Sequence, residues 1–292
     1  MTARMGRART AASAVIAFAL LVGVWELAKA VLPDAGVSIG DTRVLPRTDD
    51  ASMPHVWTVL ARLGEPEVAG AAAQRTVAEA VASGALFTLG LALGGLVIGG
   101  VLGVLLALAM ARFGLLERAL LPYVVLSQTV PLIAIAPLVA GWGGKIAIFG
   151  QPWQPWASVM VISSYLAFFP IAVGMLRGLT SPRRADVELF RSLAAGWWTT
   201  LVRLRLPASV PHVVPAVRLA AAAAVVGAIV AEISTGTRGG VGRLIIEYAQ
   251  SATGDPSRMY TAILGAAVLG LVAAGAVGLL DLALRRYRGS VA

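Results

Sequence analysis

Glu188 lies four residues after Arg184 and three before Arg191, a spacing that sets all three on one helical face and lets a carboxylate meet a guanidinium. A second polar group, Ser127-Gln128-Thr129 followed by Pro131, interrupts a long apolar run. Polar side chains at membrane depth face protein or a water-filled cavity, so these residues either line a solute route or its gate, or bond to a neighbouring helix. His55 and His212 are the only histidines, neither has a partner at ligand spacing, and cysteine is absent, which argues against metal, histidine and thiol chemistry. The one Gly-Lys pair, Gly144-Lys145, has Val139 where a phosphate-binding loop needs glycine and Ile146 where it needs Ser or Thr, so no nucleotide is expected on this chain.

The elements that must position these residues are membrane helices. The chain has 292 residues, 58% hydrophobic and 13% charged, with a net charge of +9. Soluble domains run near 25% charged. The basic residues are scattered singly among apolar runs, which excludes a nucleic-acid face. Charge-poor stretches of about 18 residues or more are candidate spans. The first is Ala11 to Leu32, with Glu26 and Lys29 near one end; its length and these charges favour a retained anchor over a cleaved signal peptide. Others lie between Glu79 and Arg112, Arg118 and Lys145, Lys145 and Arg177, and Arg258 and Asp281, and a fifth in chain order runs from about Ser209 to Ala231. Six spans put both termini on one side. With that side cytoplasmic, the inside holds 15 of the 24 basic residues against four acids, the bias found in membrane proteins.

The reading divides the chain into a cytoplasmic N-terminus (1–10), a first span (11–32), an outer segment (33–83) with an interfacial helix carrying Val56, Val59, Leu60 and Leu63, and a five-span core (84–292) containing a cytoplasmic loop (178–208). Gly90, Gly94, Gly95, Gly99 and Gly103 form ladders at four-residue steps, expected to let helix backbones approach closely. Trp142, Trp153 and Trp156 are expected in an outer aromatic belt. A short outer helix is expected at Leu244 to Ser251, after the glycine-rich turn. In the loop, Ser181 and Pro182 are expected to start a helix that runs toward Ala194. Ala195 and Gly196 permit a turn, and a second helix from Trp197 to Leu206 is expected to stop at Pro207.

This loop resembles that of the membrane subunits of bacterial ATP-binding-cassette importers, whose motif is Glu-Ala-Ala, three residues, Gly, nine residues, Ile, one residue, Leu-Pro. Glu188, Leu206 and Pro207 match literally, and Leu189, Phe190, Ala194 and Leu204 replace the two alanines, the glycine and the isoleucine in register. Gly196 is the nearest glycine to the replaced one. Gln128-Thr-Val-Pro-Leu-Ile-Ala-Ile-Ala-Pro137, Trp142-Gly143, Phe168-Phe-Pro170 and Val230-Ala-Glu232 are similar to segments of the subgroup that imports nitrate, sulfonates, taurine and pyrimidine-type vitamin precursors.

The resemblance implies an all-α fold, the type I importer permease, with a coupling helix near Ala195 to Thr200 docked on an ATPase. Its coupling residues would be Arg184, Glu188, Arg191, Ala194, Ala195, Gly196, Trp197, Leu206 and Pro207. It implies two cytoplasmic ATPase subunits that bind ATP and Mg²⁺, a second permease copy in a homodimer or heterodimer, an extracytoplasmic solute-binding protein, and a bacterial inner membrane. No cofactor would be bound by this chain and no nucleic acid would be a partner. Two other classes make different demands on the sequence. An intramembrane enzyme needs converging His, Asp or Glu residues at one face. A secondary transporter calls for an inverted repeat or buried acids, of which only Glu26 stands inside a helix, with Lys29 able to neutralise it.

Overall fold

The computed structural model describes residues 2–39, 42–45, 47–68, 75–148 and 150–288. Residues 69–74, in the segment expected to be outer, lie outside these, and so do most side chains before Ile16 and all those from residue 279 on, including the terminal arginines counted above. In order come α1 (Thr2–Val31), β1 (Val37–Ile39), β2 (Thr42–Leu45), α2 (Val56–Arg62), α3 (Val77–Arg112), α4 (Gly114–Leu126) and α5 (Leu132–Gly143). Then follow β3 (Ala147–Ile148), β4 (Gln151–Pro152), α6 (Pro155–Leu179), α7 (Arg184–Ser192), α8 (Trp197–Thr200), α9 (Leu206–Thr235), α10 (Val241–Gln250) and α11 (Pro256–Arg288). The two strand pairs are small antiparallel ribbons in loops. The chain forms two compact units, Met1–Val81 with Ile245–Ile263, and Ala82–Leu244 with Leu264–Ala292.

Among the described residues four helices are long and apolar enough to cross a membrane: Val77–Arg112, Pro155–Leu179, Trp197–Thr235 and Pro256–Gly278. A pair bent by 99°, Gly114–Thr129 with Leu132–Gly143, makes a fifth if counted as one span. Six spans thus become four or five here, because the first candidate falls on α1, much of whose first half lies outside the described side chains. The third candidate is not one straight helix. Pro131 has no N–H to donate and drives Val130 to an extended conformation (φ −74°, ψ 125°), so α4 ends in a 3₁₀ turn at Ser127–Thr129 and α5 restarts in a new direction.

In the second unit α6 is the central helix, burying Val159, Ile162, Ala167, Ile171 and Leu179. It runs antiparallel to α9: Ser163 Oγ donates to the Ala224 carbonyl at 2.9 Å, and a Cβ at Gly178 would meet Ser209 Cβ at 2.6 Å. One ladder of α3 lies on α6, where a Cβ at Gly95 would come within 2.5 Å of Ser163 Cβ and one at Gly103 within 2.9 Å of the Phe168 carbonyl oxygen. Without side chains at these steps the backbones close up, and dispersion replaces the hydrophobic drive that lipid does not supply. The outward faces are apolar, as Val97, Leu105 and Leu271 are more than half exposed.

In the first unit the end of α1 is stitched to the segment after it. Lys29 Nζ donates to the Thr48 and Met53 carbonyls and pairs with Asp50 at 2.7 Å. Glu26 accepts from the Val56 N–H at 2.9 Å and pairs with His55 at 2.7 Å, which caps α2. Glu26 and Lys29 therefore hold the segment after α1 through separate partners. α2 forms where expected, with Val59 buried and Trp57 and Leu60 exposed.

Candidate functional site

The connection from α6 to α9 departs from the expected layout in three ways. Ser181 does not cap α7; its hydroxyl donates to the Gly178 carbonyl at 2.8 Å and so closes the end of α6. The helix begins at Arg184 after an extended Arg183, whose Nε donates to Asp186 Oδ2 at 3.2 Å. The turn falls on Ala194, at φ 54° the one non-glycine residue with positive φ among those described, and not on Gly196, which is extended at φ −65°. The N–H groups of Ala194 and Ala195 donate to the Arg191 and Phe190 carbonyls, the paired bonds of a Schellman ending. Ala194 thus holds the left-handed conformation at the motif position where the importers have glycine.

Pro207 does not stop the second helix. α8 passes through a wide π turn at Leu201–Arg205 and runs on as α9, with Pro207 in its first turn. A proline clashes with the carbonyl four residues earlier and lacks the N–H to bond it. The widened turn removes that conflict and lets the helix continue.

These elements divide the loop into a fixed side and a free side. Leu201 is buried, and Trp197 and Leu206 pack on the cluster formed by Met110, Met175 and Leu179. Arg112 lies 5.1 Å over the Trp197 ring, a cation–π contact that holds the loop to the end of α3. Its neighbour Trp198 points away and is 71% exposed, with Leu193 (71%) and Leu189 (57%) also uncovered. Arg184, Glu188 and Arg191 line one shallow hollow with Pro182 and Val187. No ion pair within 4.0 Å joins Glu188 to either arginine, so the helical pairing that the spacing allows is not formed. The structure thus brings Arg184, Glu188 and Arg191 to one exposed face, places Ala194, Ala195 and Gly196 in the turn, and sends Trp197 and Leu206 into the support. Arg112 was not anticipated; its contact spans too much sequence for a local pattern to reveal.

At the α4–α5 break, Ser127 Oγ donates to the Val124 carbonyl at 2.7 Å and Thr129 Oγ1 to that of Leu126 at 2.8 Å. These hydroxyls satisfy carbonyls of their own turn. Tyr165 of α6 donates to the Ser127 carbonyl and anchors the break. Gln128, Thr129 and Pro131 are exposed.

Glu232, near the end of α9, is fully buried and has no basic partner within 4.0 Å among the described residues. Thr88 Oγ1 donates to its Oε1 at 2.8 Å and the Gly242 N–H to its Oε2 at 2.9 Å, while the Val241 N–H donates to Thr88 Oγ1 at 3.0 Å. The helix α10 accordingly begins at Val241, three residues before the expected Leu244, because its first donors are capped by residues of α3 and α9.

Comparison with known proteins agrees with this architecture. Residues 99–286 match the family model described as the binding-protein-dependent transport system inner membrane component. The formylaminopyrimidine transport permease protein ThiX of Halalkalibacterium halodurans is 31% identical over 228 residues, 78% of each chain. A candidate aliphatic sulfonates transport permease, SsuC of Bacillus subtilis, is 28% identical over 67% of each chain. The riboflavin transport system permease protein RibX of Chloroflexus aurantiacus is 29% identical over 60% of this chain and 61% of its own. With this span of matched sequence laid over four or five membrane-crossing elements, the chain belongs to the inner membrane permease components of binding-protein-dependent ATP-binding-cassette importers.

Proposed function

We propose that this permease forms half of the translocation path for a small organic solute of the kind its relatives are named for, and that α7 and α8 receive the stroke of an ATPase. The observation that carries the second point is the two-sided loop: Trp197, Leu201 and Leu206 root it in the membrane unit, while Leu189, Leu193, Trp198 and an unpaired Glu188 face outward. A rooted helix transmits displacement as a rigid body. Two ATPase subunits carrying ATP and Mg²⁺, a second permease copy and an extracytoplasmic binding protein complete the assembly. The arginine bias supports six spans with both termini cytoplasmic, and the exposed Gln128 and Thr129 at the α4–α5 break support a place for Ser127, Gln128, Thr129 and Pro131 on the solute path. The family and the two-sided loop support an importer permease over the enzyme and secondary-transporter readings.

The test is Glu188→Gln in the complex reconstituted with its ATPase and binding protein. ATPase stimulation by the loaded binding protein should fall at least several-fold, with complex assembly measured separately. Full stimulation and uptake at equal expression would remove Glu188 from the coupling surface.

A further inference from the structure

Between α6 and α9 runs an open groove of about 450 Å³. Phe169, Val173 and Arg177 recur at four-residue steps along its α6 lip, and Leu219 and His212 lie on the α9 side. Eight residues of helix separate Phe169 from Arg177, so the groove follows the helix axes for about 12 Å. Its character changes along that length. The end beside the α7–α8 loop holds Arg177 and His212, both exposed and with no acid among the lining residues, and the rest is walled by apolar side chains and prolines. No carboxylate lies within 4.0 Å of Arg177 among the described residues, so its charge is left for a ligand to meet; of the loop-end arginines described, Arg183 alone has an acidic partner, Asp186.

A site with a cationic mouth at the membrane surface and an apolar slot leading toward the middle of one leaflet matches an amphiphile whose charge is negative. A small free anion would use the mouth and leave the slot empty, whereas a packed protein helix would leave Arg177 without a counter-charge. We propose that this groove holds an anionic phospholipid, its phosphate against Arg177 and His212 and an acyl chain along Val173 and Phe169. Arginine suits the role because its guanidinium donates two parallel hydrogen bonds to a phosphate. Basic pockets between membrane helices on the cytoplasmic side select acidic headgroups for this reason. The assignment to the cytoplasmic leaflet rests on the orientation proposed above.

The test uses the full chain in lipid discs of phosphatidylcholine with a minor fraction of phosphatidylglycerol, and native mass spectrometry to count retained lipid. The wild type should retain phosphatidylglycerol in preference to phosphatidylcholine. Arg177→Gln should weaken that retention roughly fivefold, the effect of one basic contact to an anionic headgroup. Arg177→Lys should keep part of it, and Arg118→Gln should leave it unchanged. Val173→Trp, which fills the slot and spares the charges, should also expel the lipid. Displacement by free glycerophosphate as effective as by the intact lipid would reduce the site to an anion site and overturn the proposal. So would equal retention in Arg177→Gln and wild type, or efficient cross-linking of Val173→Cys between two copies. Discs present lipid on both faces, so retention does not depend on orientation; labelling of Ser181→Cys by an impermeant thiol reagent in cells tests orientation separately.

Discussion

An alanine at φ 54° carries a cost of about 1–2 kcal/mol, because its Cβ crowds the following carbonyl, and Ala194 accepts that cost at the bend of the α7–α8 loop. Two backbone bonds to Phe190 and Arg191 hold it there. Ala194→Gly should therefore stabilise the loop by about 1 kcal/mol, seen as increased hydrogen-exchange protection in α7 with the Schellman bonds intact. Unchanged or reduced protection would mean that the loop relaxes Ala194 out of the left-handed region in the membrane. The register of the motif already marked residue 194, but its composition drew the turn toward Gly196. Only the hydrogen bonds at the end of α7 decide between them, since a helix that ends at Ser192 needs its left-handed residue two positions later.

At the scale of elements, helices here begin and end where distant groups allow it. The start of α10 depends on Thr88 of α3 and Glu232 of α9, and the glycines beside it leave room for the Glu232 carboxylate: a Cβ at Gly240 would fall on it, and one at Gly242 would come within 3.0 Å of Oε2. Thr88→Val removes one donor to a buried carboxyl and one acceptor for Val241, and should lower stability by roughly 2 kcal/mol. Glu232→Ala should cost at least as much. Thermal unfolding of purified protein in detergent measures both, and an unshifted midpoint for Thr88→Val would show that the clasp does not hold α10. The α4–α5 break and the π turn before α9 are of the other kind, set locally by Pro131 and Pro207. Both prolines are plain in the sequence, where Pro207 reads as a helix stop; whether a proline bends, breaks or is absorbed depends on what packs around the freed carbonyls.

For the whole molecule, the ion pairs among the described residues concentrate in the first unit, and the second holds Arg183 with Asp186. In the first, Lys29, Arg47, Arg62 and Arg75 each meet an acid: Asp50, Asp49, Asp255 and Glu67. Burial alone would raise the Glu67 pKa, but hydrogen bonds from Arg75 and Tyr248 and the nearby Arg258 outweigh it and hold the carboxyl below its ordinary range. A hydrogen bond from Ser52 lowers Asp49, and one from Lys29 lowers Asp50. Groups whose folded pKa is depressed add stability that is complete above their ordinary values near 4 and disappears as pH falls through the lower, folded values. The segment around residues 47–68 should therefore lose hydrogen-exchange protection on acidification below about pH 4, and Glu67→Gln should flatten its share of that dependence. The same loss in Glu67→Gln and wild type would place the acid sensitivity elsewhere. Tyr248, pushed up by burial and by Glu67, stays a neutral donor throughout this range.

The amino-acid sequence by itself determined that this is a helical membrane protein, because apolar run length and arginine distribution are one-dimensional quantities that the bilayer reads directly, and the loop motif's resemblance to importer permeases pointed to the class. Most span positions and the location of the α7–α8 loop were legible on that basis. The tertiary structure decided which residues of the loop are roots and which are free, that Glu232 is a buried clasp, that Glu26 and Lys29 hold the segment after α1, and that α6 and α9 leave a groove with an uncompensated arginine. Each depends on a contact between residues remote along the chain, and burial, capping and charge compensation are properties of neighbours in space that no local pattern encodes.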